Sequence, residues 1–193
     1  MAQESDRLFA LWRLAAATGL RRGELAGLTW PAVDLDAGTL IVRATRVVVG
    51  HAVVDSGPKT EAGQRTISVD SATVAALRAH RRRQSEERLA AGPAWNGDGE
   101  LLFVDELGRP IHPARMTKLL AARAAAVGLP SVRLHALRHG HATHGLTAGV
   151  PLAVMSKRLG HSSIRITADT YSHLVPELDL AAAERVAALL EAR

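Results

Sequence analysis

The sequence predicts a mainly helical chain carrying one small three-stranded antiparallel β-sheet, an α+β arrangement. Three observations predict it. Hydrophobic residues make up 47% of the 193 residues but aromatics only 3%, so the core is built mostly of Ala, Leu and Val, which suits helix packing. Most segments repeat their apolar residues at helical spacing. One stretch, residues 39–69, is instead rich in β-branched residues and interrupted by glycine and proline.

Taken in order, residues 5–18 read as a helix, with Leu8, Leu11, Trp12 and Ala15 on one stripe and Gly19 closing it. A short helix from about Arg22 to Leu28 stops at Trp30-Pro31. Thr39–Val49, Ala52–Asp55 and Arg65–Val69 form the three strands. Ser71–Ala90 is a helix capped by its serine and ended at Gly92-Pro93. After a polar loop, Leu101–Val104 reads as a short strand. His112-Pro113 opens a helix ending at Val127-Gly128. Helices follow over His135–Ala148, from Pro151 to Leu159 with Gly160 past its end, and from a Ser162 or Ser163 cap to about Asp169. Residues 177–191 close the chain, with Leu178, Ala182, Val186 and Leu189 on one stripe. No repeat or long linker is present, and the length suits one domain.

Composition excludes several function classes. There is no cysteine, which removes disulfides, thiolate metal sites and cysteine nucleophiles. The N-terminal MAQESDRLF lacks the apolar run of a secretory signal, and no apolar run reaches the ~18 residues of a membrane span. Lysine and arginine outnumber acidic residues by 24 to 19, a net charge of +5. The distribution says more than the total. The 62 residues between Glu106 and Asp169 hold no acidic side chain. They carry nine lysines and arginines, and histidines 112, 135, 139, 141, 144 and 161. Such a block suits a polyanion such as nucleic acid, or a generic solvated basic surface; composition alone leaves both open.

Individual residues sharpen this. Tyr171 is the only tyrosine; a lone tyrosine is by default a core or rim residue, but its setting Asp-Thr-Tyr-Ser-His is polar. His135-Ala-Leu-Arg138 puts two cationic side chains at i and i+3 on one helical face, with no carboxylate between Glu106 and Asp169 to neutralise them. A phosphate is the natural bridge, since a guanidinium donates to it in a planar, bidentate manner. Thr18-Gly-Leu-Arg21-Arg22-Gly-Glu24 places Arg21 at a helix start, where free N–H groups also favour an anion. Glu24 can orient Arg21, or the two form an ordinary intrahelical ion pair worth ~0.3–0.5 kcal/mol. Gly57-Pro58-Lys59-Thr60 is not a phosphate-cradling P-loop, because proline precedes the lysine; Lys59 instead projects from a tight turn between strands. His139, His141 and His144 suggest a metal cluster, but residues 139 and 141 lie about 200° apart around a helix. No acidic or thiolate ligand completes a set, so polar helix packing is the stronger reading.

The order of these residues closely resembles the tyrosine recombinases of the phage integrase family. The resemblance runs from ATGLRRGELAGLTW through PKTEAGQRTISV to HALRHGHATHGLTAGVPLAVMSKRLGHSSIRITADTYSH, and is nearest to integrases of high-GC actinobacterial type. It implies the catalytic-domain fold of that family over residues 1–193 as a single domain, without the family's N-terminal core-binding and arm-binding domains. It implies a site-specific integrase that breaks and rejoins DNA through a 3′-phosphotyrosyl intermediate, with no metal, no cofactor and no ATP. Tyr171 matches the nucleophile, and Arg21 and Arg138 the arginines gripping the non-bridging oxygens. Lys59 matches the general acid, His135 the proton-transfer histidine, His161 the hydrogen-bonding residue beside the phosphate, and Glu24 the support of the first arginine. Arg22, Lys59, Arg65, Arg138, Lys157 and Arg165 are expected to face DNA. The implied partners are double-stranded attachment-site DNA, three further copies in a synaptic homotetramer (a monomer in isolation), and accessory DNA-bending or directionality proteins, all in a bacterial cytoplasm at the nucleoid. Where the family commonly has aspartate after the histidine of its HxxR motif, this chain has Ala136, which bears on how the histidine is oriented. The last helix docks on its own domain or on a neighbouring protomer. Alternatives from other classes are a type IB topoisomerase-like nickase–ligase, a catalytically silent DNA-binding module of the same fold, and a His-cluster metallohydrolase.

Overall fold

The computed structural model describes residues 6–49, 52–56, 64–97 and 99–191. Two hydrophobic clusters organise them. The larger joins α1 (Phe9–Thr18), α2 (Arg22–Ala26), the sheet, α3 (Ser71–Ala91) and α4 (Pro113–Ala126) around Leu11, Leu14, Leu25, Leu40, Leu77 and Met116. The smaller joins α5 (Leu134–Thr147), α6 (Leu152–Leu159) and α7 (Ile164–Tyr171) around Ala142, Leu146, Met155, Leu159 and Tyr171. Helix α1 packs on both α3 and α5, so it is the beam between the two clusters.

The sheet has the expected strand number and a different composition. It runs in the order β1 (Val33–Asp34), β2 (Thr39–Val42), β5 (Arg65–Ser68), all antiparallel, with Leu40 opposite both Val33 and Ile67. The expected single strand Thr39–Val49 breaks after Val42. Its second half, β3 (Thr45–Val49), pairs with β4 (Ala52–Ser56) as a separate hairpin. Close packing on α2 explains the break. A Cβ on Gly23 would lie 2.6 Å from Thr45 Cγ2, and one on Gly27 would lie 3.2 Å from the Arg46 backbone nitrogen. Only glycines let Ala44–Arg46 approach α2 this closely. Strand β1, with two residues, is too short to leave a periodic signal.

Other boundaries shift for local reasons. Helix α1 begins at Phe9 because the Asp6 carboxylate accepts the Leu8 N–H at 3.0 Å, closing a turn before the helix. Asp70, not Ser71, caps α3; its carboxylate accepts from Thr73 N at 3.0 Å and Thr73 Oγ1 at 2.6 Å. Leu101–Val104 is no strand: it makes isolated bridges from Leu101 to Thr29 and from Val104 to Pro110, while Leu102, Phe103 and Val104 are buried. Ser163 caps α7 by accepting from Arg165 N. The last helix, α8, runs Val175–Glu191, with Pro176 in the first turn, where its missing N–H costs nothing. Val186, Leu189 and Leu190 on α8 are all more than half exposed. Among the described residues no helix is long and apolar enough to cross a membrane.

The Gly23 contact gives a direct check. Gly23→Ala should push β3 from α2 and destabilise the chain by ~1–3 kcal/mol in urea denaturation. A stability equal to that of the unsubstituted protein would show that the hairpin does not rest on α2.

Candidate active site

The site is built on two helix C-termini. Gly19 ends α1 at φ +65° and Gly160 ends α6 at φ +68°, a conformation only glycine adopts cheaply. The last carbonyls of a helix lack intrahelical partners and carry the negative end of its dipole. Here arginines meet them. Arg138, in the middle of α5 and 5% exposed, donates through Nη1 to Gly19 O at 2.7 Å and through Nη2 to Leu159 O at 2.8 Å. Arg21 donates through Nη2 to Gly160 O at 2.8 Å. Arg158 donates through Nη2 to Ala17 O at 3.0 Å and through Nε to His141 Nε2 at 3.1 Å. These bonds tie α1, α5 and α6 at one point.

Glu24 locks the group from below. Its Oε2 accepts the Arg21 backbone N–H at 2.8 Å and its Oε1 accepts Arg21 Nη1 at 3.0 Å. Both oxygens also accept from Arg65, whose Nη1 and Nη2 each stand 2.9 Å away, and Arg65 Nε donates to Arg158 O at 2.9 Å. Burial pushes the Glu24 carboxyl up, but Arg65's hydrogen bonds and charge, with those of Arg21, outweigh it and hold the group below the ordinary carboxylate range. The Arg21 side chain keeps 45% exposure and that of Arg65 only 3%. Arg65 therefore departs from the expectation that it faces DNA: its guanidinium is turned inward onto Glu24 and a backbone carbonyl. A Cβ at Gly160 would stand 2.6 Å from Arg65 Nη1, so that glycine is needed for close approach as well as for its φ.

Histidines and the tyrosine line the open side. Tyr171 ends α7 with its ring in the smaller hydrophobic cluster, 6% exposed. Its hydroxyl lies 3.1 Å from His139 Nδ1, and His139 Nε2 lies 2.9 Å from His135 Nε2. Burial raises the Tyr171 pKa, against the pull of the Arg138 charge. His161, just past α6, bonds Thr167 Oγ1 through Nδ1 at 2.7 Å. Burial first, then the charges of Arg138, Arg21 and Arg65, lower its pKa to about 4. His135 is lowered by the same causes in smaller company: burial, then His139, Arg138 and Arg21. Burial lowers Arg138 to about 10, which still leaves it charged at neutral pH.

The structure thus brings together Arg21, Glu24, His135, Arg138, His161 and Tyr171. Arg22 and Lys157 are exposed nearby in sequence, and exposed Arg165 stands 3.8 Å from Asp169. Lys59 lies outside the described residues. His139 and Arg65 are the residues whose site contacts sequence reasoning missed. His139 carried a readable signal, since it lies at i+4 from His135 and so on the same helical face. Among the described residues no group of three His, Cys, Asp or Glu is arranged to hold a metal ion.

Comparison with known proteins identifies the family and the fold. Residues 2–177 match the phage integrase family. The chain belongs to that family. It is 37% identical over 189 residues to a tyrosine recombinase XerC-like protein of Caldanaerobacter subterraneus subsp. tengcongensis, covering 91% of this chain and 48% of that one. It is 31% identical over 152 residues to a putative prophage phiRv2 integrase of Mycobacterium tuberculosis, covering 78% and 38%. The chain therefore spans half or less of the length of these relatives. Among solved structures, the Tn1549 transposon integrase in complex with transposon right end DNA superposes with a TM-score of 0.72 at 26% identity, covering 93% of this chain and 59% of that one. XerA recombinase superposes at 0.67 and 26% identity, covering 86% and 53%. The fold is that of a tyrosine recombinase catalytic domain, mainly helical with a small antiparallel sheet.

Two outcomes follow. Arg65→Met keeps the volume but leaves Glu24 buried with half its partners, so unfolding in urea should show a loss of ~3–5 kcal/mol; a loss under ~1 kcal/mol would mean that the pair is not structural. The second concerns acid. His141 is held near 4 by burial, then by Arg158, against 6.5 for the free group. A depressed imidazole is neutral when folded and takes its proton on unfolding, so stability is lost as pH falls from about 6.5 toward 4. Between pH 7 and pH 4.5, His141→Gln should lose less thermal stability than the unsubstituted chain, by on the order of 1 kcal/mol once partial exposure is discounted. Equal losses would contradict the assignment.

Proposed function

We propose that this chain is the DNA-cleaving and rejoining part of a site-specific recombinase, acting by tyrosine transesterification. Tyr171 Oη attacks a DNA phosphorus, the P–O5′ bond breaks, and a 3′-phosphotyrosyl ester and a free 5′-hydroxyl result. Attack by an incoming 5′-hydroxyl reverses the step and restores the tyrosine. The ester keeps the free energy of the phosphodiester, so no nucleotide triphosphate enters the balance.

One observation carries this reading: Arg21 and Arg138 are held near one another at two helix ends, and the charge of Arg138 reaches the sole tyrosine. Glu24 offsets only part of the positive charge gathered here by Arg21, Arg65 and Arg138, and the remainder attracts a further anion. A phosphoryl group in its transition state gathers negative charge on its equatorial oxygens, which is what such a pair stabilises. In this reading Arg21 and Arg138 hold the non-bridging oxygens, and His161 donates beside them. Glu24 and Arg65 keep Arg21 in place, and Lys59 gives a proton to the departing 5′-oxygen. His135 takes part in moving the phenolic proton. Arg22, Lys157 and Arg165 add backbone contacts to a duplex. The similar Tn1549 integrase, solved in complex with transposon right end DNA, supports DNA as the partner, here taken as duplex attachment-site DNA. A synaptic homotetramer, accessory bending or directionality proteins, and a place at the nucleoid complete the proposal for the whole protein. A silent binding module is the weaker alternative, because binding alone has no use for a tyrosine aimed at a histidine pair beside two arginines.

Incubation with a randomised pool of nicked duplexes tests this. A denaturing gel should show a covalent protein–DNA adduct that persists in EDTA and is absent in Tyr171→Phe. Arg138→Gln should form it at least ~10²–10³-fold more slowly. Adduct formation by Tyr171→Phe, or its loss in EDTA, would overturn the reading.

A further inference from the structure

The phenol is buried and its pKa lies above the ordinary tyrosine value, so attack needs a base in contact with Oη. The family resemblance assigns proton transfer to His135. His139, however, stands within hydrogen-bond distance of Oη. It comes from the same helix as His135, one turn on, and its two ring nitrogens face different partners. Nδ1 stands 3.1 Å from Tyr171 Oη and Nε2 stands 2.9 Å from His135 Nε2. The rings support that geometry. His135 and His139 are edge-on at 4.4 Å between centroids and 89° between planes, and His139 and Tyr171 lie 5.9 Å apart at 60°. His135 and His139 are both exposed, so the outer end of this row is open to solvent.

We propose that His139 is a catalytic residue, the group that takes the phenolic proton from Tyr171 and relays it to His135. The proposal rests on the transesterase reading above. Before attack, Tyr171 O–H donates to His139 Nδ1, and His139 Nε2–H donates to His135 Nε2, whose own proton is on Nδ1. As the Oη–P bond forms and the P–O5′ bond breaks, the phenolic proton moves to His139 Nδ1. The proton on His139 Nε2 moves to His135 Nε2. His139 ends neutral with its tautomer reversed, and His135 ends as the imidazolium; the 5′-oxygen receives its proton separately from Lys59. Rejoining returns both protons along the same row. The groups facing the row set where the charge settles. They are Tyr171 on α7, Arg138 on α5, Arg21 at the start of α2, and His161 after α6. With Arg21 and Arg138 so near, two imidazolium rings side by side are disfavoured by like-charge repulsion. The relay moves positive charge to the outer ring, away from the buried phenol.

His139→Asn is the discriminating variant. Its amide retains a polar atom near the Nδ1 position to hold the phenol but cannot accept a proton; His139→Phe removes both. On the randomised nicked pool, both should form adduct at least ~10²-fold more slowly at unchanged melting temperature. Both should lose the acid limb of the pH–rate profile, and the proton inventory in mixed H2O/D2O should change from curved, with two protons moving, to linear. If His139→Asn reacts within about threefold of the unsubstituted chain with the same pH profile, His139 only positions the ring and the relay is overturned. If the unsubstituted chain itself forms no adduct, the transesterase reading fails. The relay is then decided on Tyr171 alone. Tyr171 is the only tyrosine, so one 13Cζ-tyrosine resonance reports its state. A titration step in the imidazole range, lost in His139→Asn, supports a shared proton; no such step overturns it.

Discussion

Everything at this site depends on one buried carboxylate. Glu24 is the acidic side chain that faces Arg21 and Arg65 together, and its two oxygens accept from both guanidiniums and from the Arg21 backbone. A buried charge is expensive unless paired and hydrogen-bonded on all sides. Here the pairing is complete, and completing it draws three separate pieces of chain together. Strand β5 brings Arg65, α2 brings Arg21 and Glu24, and α6 brings the carbonyls of Arg158 and Gly160. The small sheet beside α2 thereby acquires a function: it delivers one arginine to the underside of another.

The same arrangement explains the electrostatics. Arg21, Arg65 and Arg138 gather where helix dipoles present their negative ends, and Glu24 brings one negative charge among them. Positive charge is left over on the open side. That excess depresses His161 and His135 after burial has begun the work, which favours their neutral forms. It also suits an anion on the face where Tyr171 lies. In the proposed reaction, phenol, histidine pair and arginine pair are parts of one charge balance, to which a phosphate would bring the missing negative charge.

Much of this was legible in the sequence. Arg21 with Glu24, and His135 with Arg138, are i, i+3 spacings; the structure makes the first a hydrogen-bonded ion pair, while Arg138 turns inward to two backbone carbonyls and acts on His135 only through its charge. The helices were legible because their apolar stripes and closing glycines are local signals. The sheet was legible in strand number and not in membership. Thr39–Val49 reads as one β-branched run, and only the tertiary contact of Ala44–Arg46 with Gly23 and Gly27 breaks it. Arg65 illustrates the same limit. An arginine after a glycine-rich turn reads as a surface cation; its burial follows from a carboxylate 41 residues earlier in the chain, which no local pattern reveals. His139 stood in plain view within a histidine-rich helix. Its proposed role depends on which nitrogen meets Tyr171, and that depends on how α6 holds α7 beside α5.

The central claim is that a single phenol becomes an ester of DNA. Proteolysis of the trapped adduct followed by mass spectrometry tests it most directly. The account requires the nucleotide mass on the fragment containing Tyr171 and on no other. A nucleotide carried by a histidine, serine or lysine fragment, or cleaved DNA with no protein attached, would contradict it.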